Sequence, residues 1–278
     1  MLAVSASAVL IRLADAPAIA IAIWRCALGA AVLLPPALLR GDSFPKGRAL
    51  YVGIASGVAL GGHFGFWISS LDYTSVAASV VLVSTQPVFV AILAYVLLGE
   101  RTTLLSLLGI VVAIAGTAVI ALGGTVGSAA FYGNVLAIIG AATVAVYVLI
   151  GRSSRTGGVG VLPYSVVVYL AAAATLLPFA LFLEVSLWGY SGETWFWLAA
   201  ITIGPQLMGH TVFNWALRYV QASVISGTIL AEPVVAALLA WLILSERPGV
   251  LTLVGGAIVL AGLYFLLKGR PNASEPVS

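Results

Sequence analysis

Runs of about 20 residues without a single charge constrain this chain more than any other feature. LLSLLGIVVAIAGTAVIALGG at 104–124 is one of several. A helix of about 20 residues rises about 30 Å, the thickness of a bilayer's hydrocarbon core. Only 8% of the 278 residues are charged and 62% are hydrophobic. An average soluble domain carries about 25% charged residues to cover its surface. Most of this surface is therefore expected to face lipid. Splitting the runs at glycine, proline and charge clusters predicts ten transmembrane helices near 2–14, 17–39, 48–70, 74–98, 103–122, 132–151, 161–183, 194–217, 221–244 and 249–268. The expected fold class is an all-α integral membrane protein. The first predicted helix is short for a span, so either the true start lies upstream of Met1 or this helix is tilted and incomplete.

The runs are written twice. QPVFVAILAYVLLGER at 86–101 and EPVVAALLAWLILSER at 232–247 share eight of sixteen positions without a gap. GHFGF at 62–66 finds GHTVF at 209–213, Tyr73 finds Tyr219, and Gly109 finds Gly255. The offset of 146 to 147 residues equals five predicted helices. An odd number of spans makes the two halves enter the membrane from opposite sides, which predicts two inverted five-helix repeats, a recurring plan of secondary transporters with the substrate near the midplane.

Charge placement predicts the orientation. With both termini in the cytoplasm, inner loops and tail hold Arg40, Lys46, Arg48, Arg101, Arg152, Arg155, Arg218, Lys268 and Arg270, while outer loops hold only Arg12 and Arg247. No basic patch with interleaved aromatics suggests nucleic acid. Cys26 is the single cysteine, which excludes an internal disulfide and a cysteine-based metal site. The N-terminus lacks the basic segment of a cleavable signal.

A charge at a helix centre costs roughly 2.5–3.5 kcal/mol on insertion scales, so each one needs a reason. Glu232 stands about halfway along the ninth predicted helix, before Pro233, and Gln86–Pro87 repeats the arrangement in the fourth. Both prolines are expected to kink their helices. Glu232 is either a pathway residue, as the candidate for proton coupling, or half of a structural ion pair with Arg25. Gln206, His210, Asn214 and Arg218 are spaced by four and are expected to share one helical face turned toward protein or water. His63 and Trp67 occupy the positions matched to His210 and Asn214. Arg25, after Trp24, either binds a substrate carboxylate, pairs with Glu232 or snorkels outward. Trp24, Trp67, Tyr147, Tyr169 and Trp215 are candidates for an aromatic lining; Trp188, Trp195 and Trp197 suit the interfacial belt. Gly53, Gly57, Gly61 and Gly65 form a small-residue seam for close helix packing.

Among chemistries that leave signatures, there is no Walker A sequence, no metal-spaced ligand cluster and no nucleophile elbow. No cofactor and no metal are expected. Three readings remain: a secondary transporter, a non-transporting membrane subunit or sensor, and an enzyme using His63 or His210 on a lipid-linked substrate. The first is favoured.

SLDYTSVAASVVLVSTQPVFVAILAYVLLGER at 70–101, its echo ALRYVQASVISGTILAEPVVAALLAWLILSER at 216–247, and Pro17 with Trp24–Arg25 in an apolar second helix carry a resemblance. They resemble the drug/metabolite transporter superfamily of the type with two EamA domains. The resemblance implies ten helices in inverted five-helix repeats, divided as 1–124 and 125–270 with a polar tail at 271–278. It also implies both termini in the cytoplasm of a bacterial inner membrane, and export or exchange of small metabolites such as amino acids. A small-molecule substrate and the lipid bilayer are the expected partners, a proton is the candidate coupling ion, and the chain is a monomer or a homodimer. The expected substrate-binding or pathway residues are Trp24, Arg25, His63, Trp67, Gln86, Tyr147, His210, Asn214 and Glu232.

Overall fold

A computed structural model describes residues 2–98, 103–123, 128–219 and 232–269. Glu100 and Arg101, the 124/125 boundary, the 221–231 part of the ninth predicted helix, Arg270 and the tail at 271–278 lie outside the described residues. Among the described residues every regular element is helical. The helices are α1 Leu2–Leu13, α2 Ala18–Leu39, α3 Arg48–Ser70, α4 Val76–Val83, α5 Gln86–Leu98, α6 Leu104–Gly123, α7 Ser128–Thr156 and α8 Val161–Phe182. Then come α9 at 192–216, α10 Glu232–Leu244 and α11 Val250–Lys268.

Among the described residues, six stretches are long and apolar enough to cross a membrane: α2, α3, Val76–Leu93, α7, α8 and α11. Leu2–Leu13, Leu104–Ile120 and Glu232–Leu244 are shorter apolar helices. This makes a multi-pass, all-helical membrane protein.

At two places proline interrupts the regular helix. α4 stops at Val83 and α5 begins at Gln86. Pro87 lacks an N–H, and its ring would meet the carbonyl of residue 83 in a continuous helix. Thr85 Oγ1 donates to Leu82 O at 2.6 Å, satisfying a carbonyl at the break. In α9 the α-helical part ends at Ile201, four residues before Pro205, and Thr202–Thr211 is a π-helix before the α-turns resume. The hydroxyls of Tyr169 and Thr211 both lie 3.3 Å from Gln206 O, occupying a carbonyl that the wider turn releases.

Close helix approach depends on glycine. α3 lays Gly53, Gly57, Gly61 and Gly65 against α8, meeting Val167, Ala171, Ala172 and Leu176 in turn. A Cβ at Gly57 would fall 2.5 Å from Val168 O. α6 and α11 meet at four more: Gly109 faces Gly262, and Gly116 faces Gly255. Because the numbers rise on one helix as they fall on the other, α6 and α11 run antiparallel. The main core joins α1–α4 to α7–α10, and a smaller one joins α4–α7 to α11.

Candidate functional site

The site is built where both irregular helices face the bundle centre. A cavity of about 70 Å³ is walled by Val4 and Ser7 of α1, His63 and Trp67 of α3, and Val83, Ser84 and Gln86 at the α4–α5 break. Val144, Tyr147 and Val148 of α7 form another side. Pro205, His210, Phe213, Asn214 and Leu217 of α9, with Glu232 of α10, complete it. At this size it holds a few water molecules; sites for small molecules usually enclose about 300–1,000 Å³.

Seven of the nine sequence-predicted site residues meet here: His63, Trp67, Gln86, Tyr147, His210, Asn214 and Glu232. Three couples among them are repeat-matched: His63 with His210, Trp67 with Asn214, and Gln86 with Glu232. The rings of His63 and Trp67 stack at 5.6 Å and 6°. His63 Nδ1 lies 3.0 Å from Gly140 O, and the His210 ring lies 6.2 Å from His63 and 6.1 Å from Tyr147. Tyr147 OH donates to Asn214 Oδ1 at 2.7 Å, and Asn214 Nδ2 donates to Ser165 Oγ at 3.4 Å. Glu232 is 8% exposed and has no ion pair or hydrogen bond with another described residue.

Trp24 and Arg25 lie off the cavity. Trp24 Nε1 donates to Leu187 O at 2.8 Å. Its ring sits edge-on to Trp188 and Trp195, at 4.6 and 4.9 Å, inside a cluster formed when the 183–191 loop folds back. Arg25 is fully buried. Its Nε donates to Gln206 Oε1 at 2.9 Å, its Nη1 to Ser7 Oγ at 3.4 Å, and its Cζ sits 3.9 Å above the Phe64 ring. The alternative of an Arg25–Glu232 ion pair is therefore not formed, because the guanidinium is turned to Gln206. Nor do the four residues spaced along α9 share one environment. His210 and Asn214 reach the cavity, Gln206 is buried against Arg25, and Arg218 is exposed beside Tyr219. The π-helix shifts the phase on which a 3.6-residue face depends. Trp215 is half exposed, packed on Tyr219 at 5.2 Å, and is not part of the cavity wall; Tyr169 braces the π-helix.

Sequence patterns missed several contributors. Arg155, at the end of α7, is 2% exposed; its Nε donates to Asn214 O at 2.9 Å and its Nη1 to Val159 O. Ser7, Ser84 and Pro205 also went unnoticed, although Gly204–Pro205 is a breaker signal inside an apolar run. No group of three or more His, Cys, Asp or Glu that could hold a metal ion occurs among the described residues.

The duplication also appears when the chain is compared with known proteins. The profile of the EamA-like transporter family matches residues 1–122 and 131–268. The chain belongs to this family. A relative within reach of sequence comparison is the probable terminal-alkyne amino-acid exporter of Streptantibioticus cattleyicolor, 31% identical over 206 residues. That match takes in 70% of this chain and 66% of the exporter, so the chain spans about two thirds of the relative's length. A crystal structure of a protein with 22% identity superposes with a TM-score of 0.68, covering 95% of this chain and 92% of that one. Membership in the EamA-like family makes the chain a membrane transporter.

Proposed function

We propose that this protein is a secondary transporter that exports or exchanges small amphipathic metabolites, such as amino acids, by alternating access around the central cavity. One observation carries the reading: three repeat-matched couples, from opposite halves of the chain, converge on a single pocket. Two halves related by a twofold axis in the membrane plane would place matched residues on either side of that axis. The α6–α11 contact supports such an axis. At an offset of 146, the Gly109–Gly262 contact becomes Gly255–Gly116, so the pair maps onto itself while its helices run antiparallel. The full arrangement is ten helices in inverted five-helix repeats, in a bacterial inner membrane with both termini cytoplasmic.

In this scheme the small cavity belongs to a closed state. The α4–α5 break and the α9 π-helix are the places where the walls bend. Glu232 is the carboxylate available to couple transport to protons, since a buried carboxylate is uncharged at little cost compared with one left charged.

Reconstitution in liposomes tests the reading. Substrates are first selected by screening metabolites whose efflux rises in cells that overproduce the protein. Their flux in liposomes should respond to an imposed proton gradient, and Glu232→Gln should abolish that response. Flux indifferent to both would remove the coupling, and absence of flux for every selected metabolite would remove transport itself.

A further inference from the structure

The echoed runs both end in Glu-Arg, at 100–101 and 246–247, and neither dipeptide has a part in the cavity. The second copy is held in a defined turn after α10. Glu246 N donates to Ala240 O at 3.2 Å, and Ser245 between them takes a left-handed backbone with φ 56°. This six-to-one closure is a Schellman turn, whose left-handed position glycine fills at least cost. The repeat position of Ser245 is indeed a glycine, Gly99. The second half thus forms the turn with a residue that disfavours it, and Glu246 leaves that turn toward the first half. Its Oε1 accepts from Val76 N at 2.6 Å.

Val76 opens α4, so its N–H is among those a helix leaves unpaired, and a carboxylate is favoured at that end. The helix already has a local cap, because Ser75 Oγ accepts from Ala78 N at 3.1 Å. Glu246 is a second cap, and it comes from the opposite half of the chain. The same turn is tied twice more. Thr74 Oγ1 donates to Asn134 Oδ1 of α7 at 2.9 Å, again across the halves, and Arg12 Nη2 donates to Thr74 O at 3.1 Å. Thr74 and Asn134 are both buried. Every residue of α4 is buried as well, and at its other end Val83 and Ser84 wall the cavity. Eight residues span about 12 Å, so one short rod joins the tied turn to the cavity.

We propose that Glu246 is a positioning residue for transport, the latch that holds α4 against the second half and closes the outer end of the cavity. This rests on the alternating-access reading, whose orientation puts the 74–76 turn, the start of α7 and Glu246 on the outer side. In that cycle the two halves move against each other. The Ser75 cap travels with α4, whereas the Val76–Glu246 and Thr74–Asn134 bonds must break when α4 parts from the second half. The α4–α5 break, at the cavity end of the rod, is the pivot.

Access to a thiol in the cavity wall tests the latch. Ser84→Cys in a Cys26→Ala background is labelled in oriented membrane vesicles by a membrane-impermeant thiosulfonate, added to one face at a time. Glu246→Ala should raise labelling from the outer face about tenfold or more, the change expected when one charge-assisted hydrogen bond is lost. Labelling from the cytoplasmic face should stay level or fall. Glu246→Gln keeps an acceptor oxygen without the charge and should give a smaller rise. Thr74→Val removes the bond to Asn134 at nearly constant size and should also raise outer labelling. Thermal melting identifies any variant that does not fold, and the Gln and Val changes carry the test if Glu246→Ala is one. Equal rises on both faces would make Glu246 a cap whose loss merely loosens the bundle, and would overturn the assignment. A rise confined to the cytoplasmic face would overturn it too, as would unchanged labelling in every folded variant. The transporter reading fails on separate ground, if the parent protein carries no metabolite selected by efflux in liposomes.

Discussion

His63 and His210 lie with ring centroids 6.2 Å apart, one from each half of the chain, in the wall of one cavity. Phe64 packs edge-on to His210 at 5.1 Å, and Trp67 stacks on His63, so the imidazoles are members of one aromatic group. Residues in such a group do not contribute independently. His63→Ala and His210→Ala should each reduce transport at least tenfold. The double variant should show a stability coupling of about 0.5–3 kcal/mol in denaturation of the purified protein. Additive stability losses would mean that the rings act separately.

That pairing was legible because GHFGF and GHTVF announce it, and the Gln86–Glu232 match follows from an equally plain echo. Trp24 was misplaced for a different reason. Its partner is Leu187, 163 residues away, and no local spacing encodes a loop that folds back on a helix. Arg155 read as an inner-loop charge, yet it turns inward to hold Asn214 O. The face through Gln206 assumed 3.6 residues per turn, and Pro205 in a π-helix removes that assumption. Sequence periodicity thus reported which helices exist, while proline chemistry and long-range hydrogen bonds decided which side chains reach the cavity.

The glycines of α6 and α11 give a stability test with an internal control. A Cβ at Gly262 would fall 2.7 Å from Gly109 O and 2.9 Å from Ala113 Cα, both backbone atoms that cannot rotate away. Gly262→Ala should therefore force the helices apart and destabilise the protein by about 1–3 kcal/mol, the usual cost of overpacking. Gly192 has nothing within 4 Å of the same added atom. Gly192→Ala, at the start of α9, should be neutral or stabilising by up to about 1 kcal/mol. Thermal melting in detergent compares the two directly.

Asp72 supplies a pH-dependent prediction outside the membrane. Partial burial raises its carboxyl above the ordinary value of 3.8, with Arg12 pulling the other way. An acid whose folded value is raised binds its proton more tightly when folded. Its contribution to stability is therefore greatest below its unfolded value and is lost as pH rises through the folded one. At neutral pH the ionised group is a mild liability. Asp72→Asn should thus melt higher than the parent at pH 7, and the difference should shrink as pH falls toward 3.8. A gap that widens on acidification would contradict the sign.

Arg25 tests how a fully buried cation is tolerated. Its Nη2 and the Nε2 of Gln206 both lack partners, while Arg25 Nε and Gln206 Oε1 satisfy each other at 2.9 Å. Gln206→Leu leaves the guanidinium with Ser7 and the Phe64 face as its remaining described contacts, and desolvated charge without hydrogen bonds is expensive. Removing one member of a buried polar pair typically costs more than replacing both by apolar groups of similar size. The single variant Gln206→Leu should therefore be the least stable of the series. Arg25→Met should fall between it and the parent, because it removes the charge but strands the amide. The double variant Arg25→Met/Gln206→Leu should recover stability relative to either single change. Purely additive losses would show that the two side chains stabilise the α2–α9 contact separately, and that the π-helix does not depend on their hydrogen bond.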